Sequence, residues 1–298
     1  MFTGCGTALV TPFRRDLSLD EDTLRRLVRR QIEAGVDFLV PCGTTGESPV
    51  LTHDEHLRVV EIVLEEAAGK VPVAAGAGGN DTAKIIRLAR ELEAMGVNGL
   101  LSVSPYYNKP SQEGIYQHYK AIASAVRLPV IVYNVPGRTS SNIEPATLKR
   151  LAEIDNIVAV KEASGSMAQI SAILNQVPET FTVLSGDDAM TVPVMSVGGK
   201  GVISTAGNEI PAEMTQIAKS CLAGDFAAAR RLHHKYLPLM EVNFVESNPI
   251  PVKAAMGLMG LLDPVWRLPL VPPSPANLAK IEKVLRDLGL LATVHAAN

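Results

Sequence analysis

Aromatic residues are scarce, at 4% of a 298-residue chain with a single tryptophan, and cysteine is scarcer still. Cys5, Cys42 and Cys221 are too few and too scattered for a disulfide framework. They read instead as reduced, buried small hydrophobes of a cytoplasmic protein. No apolar run is long enough to span a bilayer. The opening, Met1-Phe2-Thr3-Gly4-Cys5, lacks the basic start and apolar core of a signal peptide. Neither sign of charge dominates. The net charge is -3, there is no block of like charge, and nothing points to a nucleic-acid or membrane surface. What the chain does have is apolar content, 47%, enough for one large domain or a domain with an appendage.

Short apolar runs alternate with helical patterns. Runs at 7–10, 38–40, 71–75, 99–103, 129–133, 157–160, 181–184 and 201–203 predict eight strands. Between the first two, Ser18 and Glu21 have capping-box spacing, Leu24, Leu27, Val28 and Ile32 form a stripe, and Gly35 ends it. Thr52 and Glu55 open a second helix in the same way. Further helices are predicted at 83–95, 112–126 and 145–151, and after strands seven and eight. Ala34-Gly35-Val36-Asp37 and Met95-Gly96-Val97-Asn98 echo one helix-to-strand turn, two βα units apart. Eight strands alternating with helices in a chain of this length favour a closed (β/α)8 TIM barrel over an open sheet. From about residue 225 only helices are predicted, at 226–239, 250–261 and 276–291. The expected division is a barrel over 1–224 and a C-terminal helical appendage over 225–298.

In such a barrel the carboxyl ends of the strands converge on one mouth. The residues there are Thr44 and Thr45 after strand two, Tyr107 after strand four, and Tyr133 and Arg138 after strand five. Lys161 ends strand six, Gly186 follows strand seven and Ile203 ends strand eight. An amine, phenols, hydroxyls and a guanidinium suit a carbonyl substrate bearing carboxylates. Lys161 follows the buried run Ile157-Val158-Ala159-Val160. To be half neutral near pH 7.4 its amine needs about 4 kcal/mol of preference for the uncharged form, which burial can supply. Each feature also has a plainer reading: a surface lysine, an ordinary turn at Gly43–Glu47, packed aromatics at Tyr106-Tyr107. Gly76-Ala77-Gly78-Gly79 lacks dinucleotide-fingerprint spacing. His53 and His56, one turn apart, lack an evident third metal ligand.

The motifs Gly43-Thr44-Thr45-Gly46-Glu47, Ser104-Pro105-Tyr106-Tyr107-Asn108, Tyr133-Asn134-Val135-Pro136-Gly137-Arg138-Thr139 and Lys161-Glu162-Ala163 occur in that order. Ser185-Gly186-Asp187-Asp188, Gly201-Val202-Ile203-Ser204 and Asn248-Pro249-Ile250-Pro251-Val252-Lys253 follow. Together they make the chain resemble the dihydrodipicolinate synthase family of pyruvate-dependent class I aldolases over most of its length. The first motif and the lysine are shared widely among such aldolases; Arg138 and the 248–253 stretch point more narrowly to the synthases.

The resemblance implies that Lys161 condenses with pyruvate to an imine, and that Thr45 holds the pyruvate carboxylate. Tyr133, Thr44 and Tyr107 would form a proton relay, with Tyr107 reaching a neighbouring subunit's site in a dimer or tetramer. Arg138 would bind the carboxylate of aspartate semialdehyde, and Gly186 and Ile203 would give backbone contacts. It implies no cofactor or metal, and a place in diaminopimelate and lysine biosynthesis. Ser48, His53, His56, Asn80 and Tyr106 resemble a lysine-binding pocket. Lysine-sensitive relatives often have an acid at the position of Lys84, so weak or absent lysine feedback is expected here. The loop Ser204-Thr205-Ala206-Gly207-Asn208 departs somewhat from the family pattern. Two other functions compete: an imine-forming aldolase for a sugar acid such as N-acetylneuraminate or a 2-keto-3-deoxy acid, and an inactive barrel that only binds. The first shares the lysine but has no need of Arg138, and the intact polar set argues against the second.

Overall fold

A computed structural model describes residues 2–291; Met1 and the end of the expected helical region, 292–298, lie outside the described residues. Eight parallel strands alternate with helices. In order they are β1 (Gly4–Ala8), α1 (Glu21–Glu33), β2 (Phe38–Val40), α2 (His53–Ala67), β3 (Ala74–Gly76), α3 (Thr82–Met95), β4 (Gly99–Val103), α4 (Gln112–Ala125) and β5 (Val130–Asn134). Two short helices follow, α5 (Pro136–Thr139) and α6 (Pro145–Leu151), then β6 (Ile157–Glu162), α7 (Met167–Gln176), β7 (Thr182–Ser185), α8 (Thr191–Ser196) and β8 (Gly201–Ser204). The rest is helical: α9 (Pro211–Leu222), α10 (Phe226–Val242), α11 (Ile250–Leu258) and α12 (Pro275–Asp287). The hydrogen-bonded order is β2-β1-β8-β7-β6-β5-β4-β3. Its ends meet at the Leu39–Val73 bridge, where the Leu39 amide donates to the Pro72 carbonyl at 2.9 Å and the Gly76 amide to Pro41 at 2.9 Å. This is a (β/α)8 barrel. Among the described residues no helix is long and apolar enough to cross a membrane.

Alternation along each strand sorts its side chains into two layers. Phe38, Val40, Ala74, Leu101, Ile131, Ala159, Leu184 and Ile203 fill the barrel. Leu39, Val73, Leu100, Val132, Val160 and Val183 face the surrounding helices and form the larger core with Val28, Val60, Leu92 and Ile170. A third cluster joins β1, β8 and α9 to the C-terminal helices through Val202, Ile217, Tyr236, Leu239 and Ile281.

The first strand starts earlier than expected, at Gly4. A Cβ on Gly6 would lie 2.1 Å from the Phe38 ring, so this glycine-rich stretch is a strand that makes room for its neighbour's aromatic side chain. The first helix also starts differently. Asp20, not Ser18, caps α1 by accepting from the Thr23 amide at 3.2 Å, while the Ser18 hydroxyl donates to Asp16 at 2.6 Å. The second box forms as expected: the Glu55 amide donates to Thr52 Oγ1 at 3.2 Å and the Thr52 amide to Glu55 Oε2 at 2.9 Å. Helix α10 runs through Pro238 to Val242, beyond the expected stop.

The repeated turn has a physical basis. Gly35 and Gly96 take positive φ, 77° and 87°, closing α1 and α3. Two residues on, Asp37 Oδ2 accepts from the Cys5 amide at 2.8 Å and Asn98 Oδ1 from the Val73 amide at 2.9 Å. Each turn thus ties the incoming strand to the start of the strand before it.

Gly76 packs where β3 touches the end of β2: a Cβ there would meet the Cys42 carbonyl oxygen at 1.9 Å. Gly76→Ala is expected to cost about 3 kcal/mol, because backbone rather than a movable side chain must yield. Gly69→Ala has open space around it and only its positive φ to overcome, at roughly 1–2 kcal/mol. Urea unfolding of the two variants beside the unmodified chain measures the difference.

Candidate active site

The carboxyl ends of the strands enclose a cavity of about 210 Å³. Thr44, Thr45, Tyr133, Arg138, Lys161 and Gly186 line it, together with Val135, Ala163, Asp187, Thr205, Phe244 and Asn248. Strand geometry aims the lysine. Lys161 and Tyr133 are register partners on β6 and β5, so both side chains turn into the barrel. Glu162, next in sequence, turns the other way. It is fixed there by the Ser164 amide, which donates to its Oε1 at 2.8 Å, and by Asn134 Nδ2, which donates to its Oε2 at 2.9 Å.

Lys161 is only 5% exposed, and its Nζ lies 4.4 Å from the centre of the Tyr133 ring. Burial is the main cause of a pKa brought down to about 8; the charge of Asp188 opposes the shift and that of Arg138 adds to it. Asp188 is itself buried, which pushes its carboxyl up, and its Oδ2 accepts from the Thr205 and Ala206 amides at 3.0 and 2.8 Å. Tyr133 is pushed up by burial, against the pull of Arg138 and the Thr44 hydroxyl. Gly186 leaves space beside the amine: a Cβ would lie 2.7 Å from Ala163 Cβ and 3.2 Å from Lys161 Cε.

Thr44 and Thr45 sit on a tight turn in which the Gly46 amide donates to Gly43 and the Glu47 amide to Thr44, each at 3.1 Å. Thr45 is buried, and its hydroxyl oxygen accepts from Asn248 Nδ2 at 2.9 Å. Arg138, on α5, donates from Nη2 to the Asn248 carbonyl at 3.1 Å. It also lines an adjoining recess with Phe244, Glu246 and Ser247.

Two expected residues do not line this cavity with their side chains. Ile203, expected to give a backbone contact, is 1% exposed and packs its side chain inside the barrel; Thr205, two residues on, lines the cavity. Tyr107 is 88% exposed with φ of 70°, away from the cavity of its own chain. Asp187 was legible from its position after strand seven, whereas Phe244 and Asn248 come from the helical region, where no strand end marks them.

The residues grouped as a second pocket have local partners. His56 is buried with Nε2 2.9 Å from the Gly76 carbonyl oxygen, and burial lowers its pKa. His53 pairs with Glu91 at 2.8 Å. Ser48 opens a short helical turn over Ser48–Val50, Asn80 accepts on its carbonyl from Asn108 at 3.0 Å, and Tyr106 is 38% exposed. The Lys84 side chain is 73% exposed, with Nζ 3.9 Å from Asp81.

Holding a lysine in this way carries a stability cost with a definite pH dependence. Between about pH 8 and 10.5 the unfolded chain binds the Lys161 proton and the folded chain does not, so stability rises with pH across that window. Below it the full cost, on the order of 3 kcal/mol, is present. Lys161→Met is therefore expected to unfold at higher urea than the unmodified chain at pH 7, with the gap closing as pH approaches 10.5.

The profile of the Dihydrodipicolinate synthetase family matches residues 1–288. The chain is 55% identical over 296 residues to a 4-hydroxy-tetrahydrodipicolinate synthase of Koribacter versatilis, covering 99% of each. Its fold matches the crystal structure of dihydrodipicolinate synthase from Aquifex aeolicus with a TM-score of 0.96 at 43% identity, covering 98% of this chain and 100% of that one. It matches the Acinetobacter baumannii enzyme, solved in complex with pyruvate, with a TM-score of 0.96 at 40% identity and the same coverage. The cavity around Lys161 thus stands in a barrel whose whole length has close relatives of one kind, and the chain belongs to the dihydrodipicolinate synthetase family.

Proposed function

We propose that the chain is a 4-hydroxy-tetrahydrodipicolinate synthase, a lyase that joins pyruvate to L-aspartate 4-semialdehyde through an imine on Lys161, in the cytoplasm. The observation that carries this reading is a buried amine with a pKa of about 8, set against Tyr133 in a cavity that also holds Thr44, Thr45 and Arg138. Near neutral pH a usable fraction of that amine is uncharged and nucleophilic.

The neutral amine attacks C2 of pyruvate. The carbinolamine loses water to give the imine, with Tyr133 and Thr44 moving the protons. Loss of a C3 proton gives the enamine, whose C3 attacks the aldehyde carbon of the second substrate, and the aldehyde oxygen takes up a proton. The amine of that substrate then attacks the former carbonyl carbon. The bond to Lys161 breaks, and the cyclic product leaves with the lysine restored. Thr45 and the turn amides hold the pyruvate carboxylate, Gly186 keeps the space beside the amine open, and Arg138 holds the carboxylate of the semialdehyde. Ile203 serves through strand β8 rather than through its side chain. The exposure of Tyr107 suits a side chain completing the relay in a second copy, in a dimer or a dimer of dimers. The sugar-acid alternative leaves Arg138 without a task, and the relatives at high identity do not favour it.

Borohydride reduction in the presence of pyruvate is expected to fix an adduct on Lys161, read by peptide mass spectrometry. An adduct on another lysine, or none, excludes the imine route. Arg138→Ala is expected to lower kcat/KM for aspartate semialdehyde by about 2–4 kcal/mol while leaving pyruvate trapping nearly unchanged. An equal loss in both assays would make Arg138 a structural residue.

A further inference from the structure

The imine chemistry makes no use of a second buried lysine. Lys253 on α11 and Glu47, the last residue of the Thr44–Thr45 turn, have 0% exposed side chains and pair at 2.6 Å. Lys253 Nζ also donates to the Thr11 carbonyl at 3.0 Å and lies 4.5 Å from the centre of the Phe13 ring. Taking two charges out of water is costly, so such a pair is a poor way to add stability, and well-packed apolar side chains would often do better. Its position suggests another use.

Glu47 has φ of 54°, a left-handed conformation that is costly for a non-glycine residue. That conformation closes the turn presenting Thr44 and Thr45 to the cavity. Thr11 holds the same turn from beneath: its hydroxyl donates to the Gly46 carbonyl at 2.7 Å, and its own carbonyl accepts from Lys253. Lys253 therefore grips the turn twice, once through Glu47 and once through Thr11. Asn248, five residues earlier, grips it a third time at the Thr45 hydroxyl.

We propose that Lys253 is a positioning residue for the reaction. From the C-terminal helix, together with Asn248, it fixes the turn whose threonines meet pyruvate at Lys161. The proposal rests on the synthase reading above. A turn released from this grip samples other conformations, so pyruvate must order it on binding, and the loss falls on the pyruvate side of the reaction. The semialdehyde is held by Arg138 on a different element and is affected little.

The test is the pair of changes Lys253→Met and Glu47→Gln in one chain, which removes both charges and keeps the side-chain volumes close. Circular dichroism and urea unfolding report the fold, and borohydride trapping and steady-state kinetics report the site. The expected result is a folded protein whose half-saturating pyruvate concentration rises about tenfold in both assays, as for the loss of one good hydrogen bond. The KM for aspartate semialdehyde should stay within about twofold. A shift in unfolding midpoint with an unchanged pyruvate dependence would make the pair purely structural and overturn the proposal. So would equal rises in both KM values. Should the double variant not fold, Glu47→Gln alone, which keeps an acceptor for Lys253, is expected to raise the pyruvate requirement about threefold, and no rise overturns the proposal. The unmodified chain is the control: if pyruvate leaves no adduct on it, the synthase reading fails first.

Discussion

Keeping one amine largely out of water, with no carboxylate against it, is the constraint on which the mouth of this barrel depends. Lys161 and Lys253 make the comparison within one molecule. Both are buried, and burial pushes both amines down. Lys253 has a carboxylate at 2.6 Å and a carbonyl at 3.0 Å, which oppose that push and hold it as half of an ion pair. Lys161 has an aromatic ring at 4.4 Å instead. Asp188 is the anion that could restore its proton, yet one oxygen of that carboxylate is already taken by two backbone amides. The result is an amine close enough to neutrality to act as a nucleophile, in the same molecule as a second buried lysine that holds a turn in place.

The barrel was legible because its signals are local and agree with one another. Apolar runs, the Thr52–Glu55 box and the glycines at 35 and 96 each state an element boundary within a few residues. The errors arise where a contact distant in sequence decides. Gly4-Cys5-Gly6 becomes a strand because the Phe38 ring needs the space over Gly6. Asp20 displaces Ser18 as the cap because Ser18 is taken by Asp16.

The same division runs through the site. Thr44, Thr45, Tyr133, Arg138, Lys161 and Gly186 follow strand ends, so the rule that barrel chemistry gathers there was enough to find them. Asn248 could not be found that way. Its bond to Thr45 spans 203 residues of sequence, and although the 248–253 stretch carries the family resemblance, no strand end places it at the cavity. At Ile203 the rule says less: the side chain packs inside the barrel, which leaves the expected backbone contact as what this strand end offers.

The C-terminal helices are attached to the barrel by buried polar contacts as well as by apolar packing, and that choice has consequences for specificity. Asn243 Nδ2, at the end of α10, donates to Glu209 Oε2 at 2.5 Å, and on the barrel side Arg30 fixes the loop that carries Glu209 by donating to the Asn208 and Glu209 carbonyls at 2.8 and 2.5 Å. Burial pushes the Glu209 carboxyl well above the usual range, with Asn243 opposing. Asn208 in turn donates to the Ala8 carbonyl at 2.8 Å and accepts from the Val10 amide at 3.1 Å. An apolar seam would tolerate sliding by a fraction of a side chain, because dispersion and burial are not directional. A hydrogen-bonded seam has one register, and leaving it strands buried donors and acceptors at about 1–3 kcal/mol each. Asn243 fixes the end of α10 in this way, and Asn248 and Lys253 beyond it hold to the barrel by their own buried bonds to Thr45, Thr11 and Glu47. A site whose threonines are set from one end of the chain and whose lysine comes from its middle requires that of its scaffold.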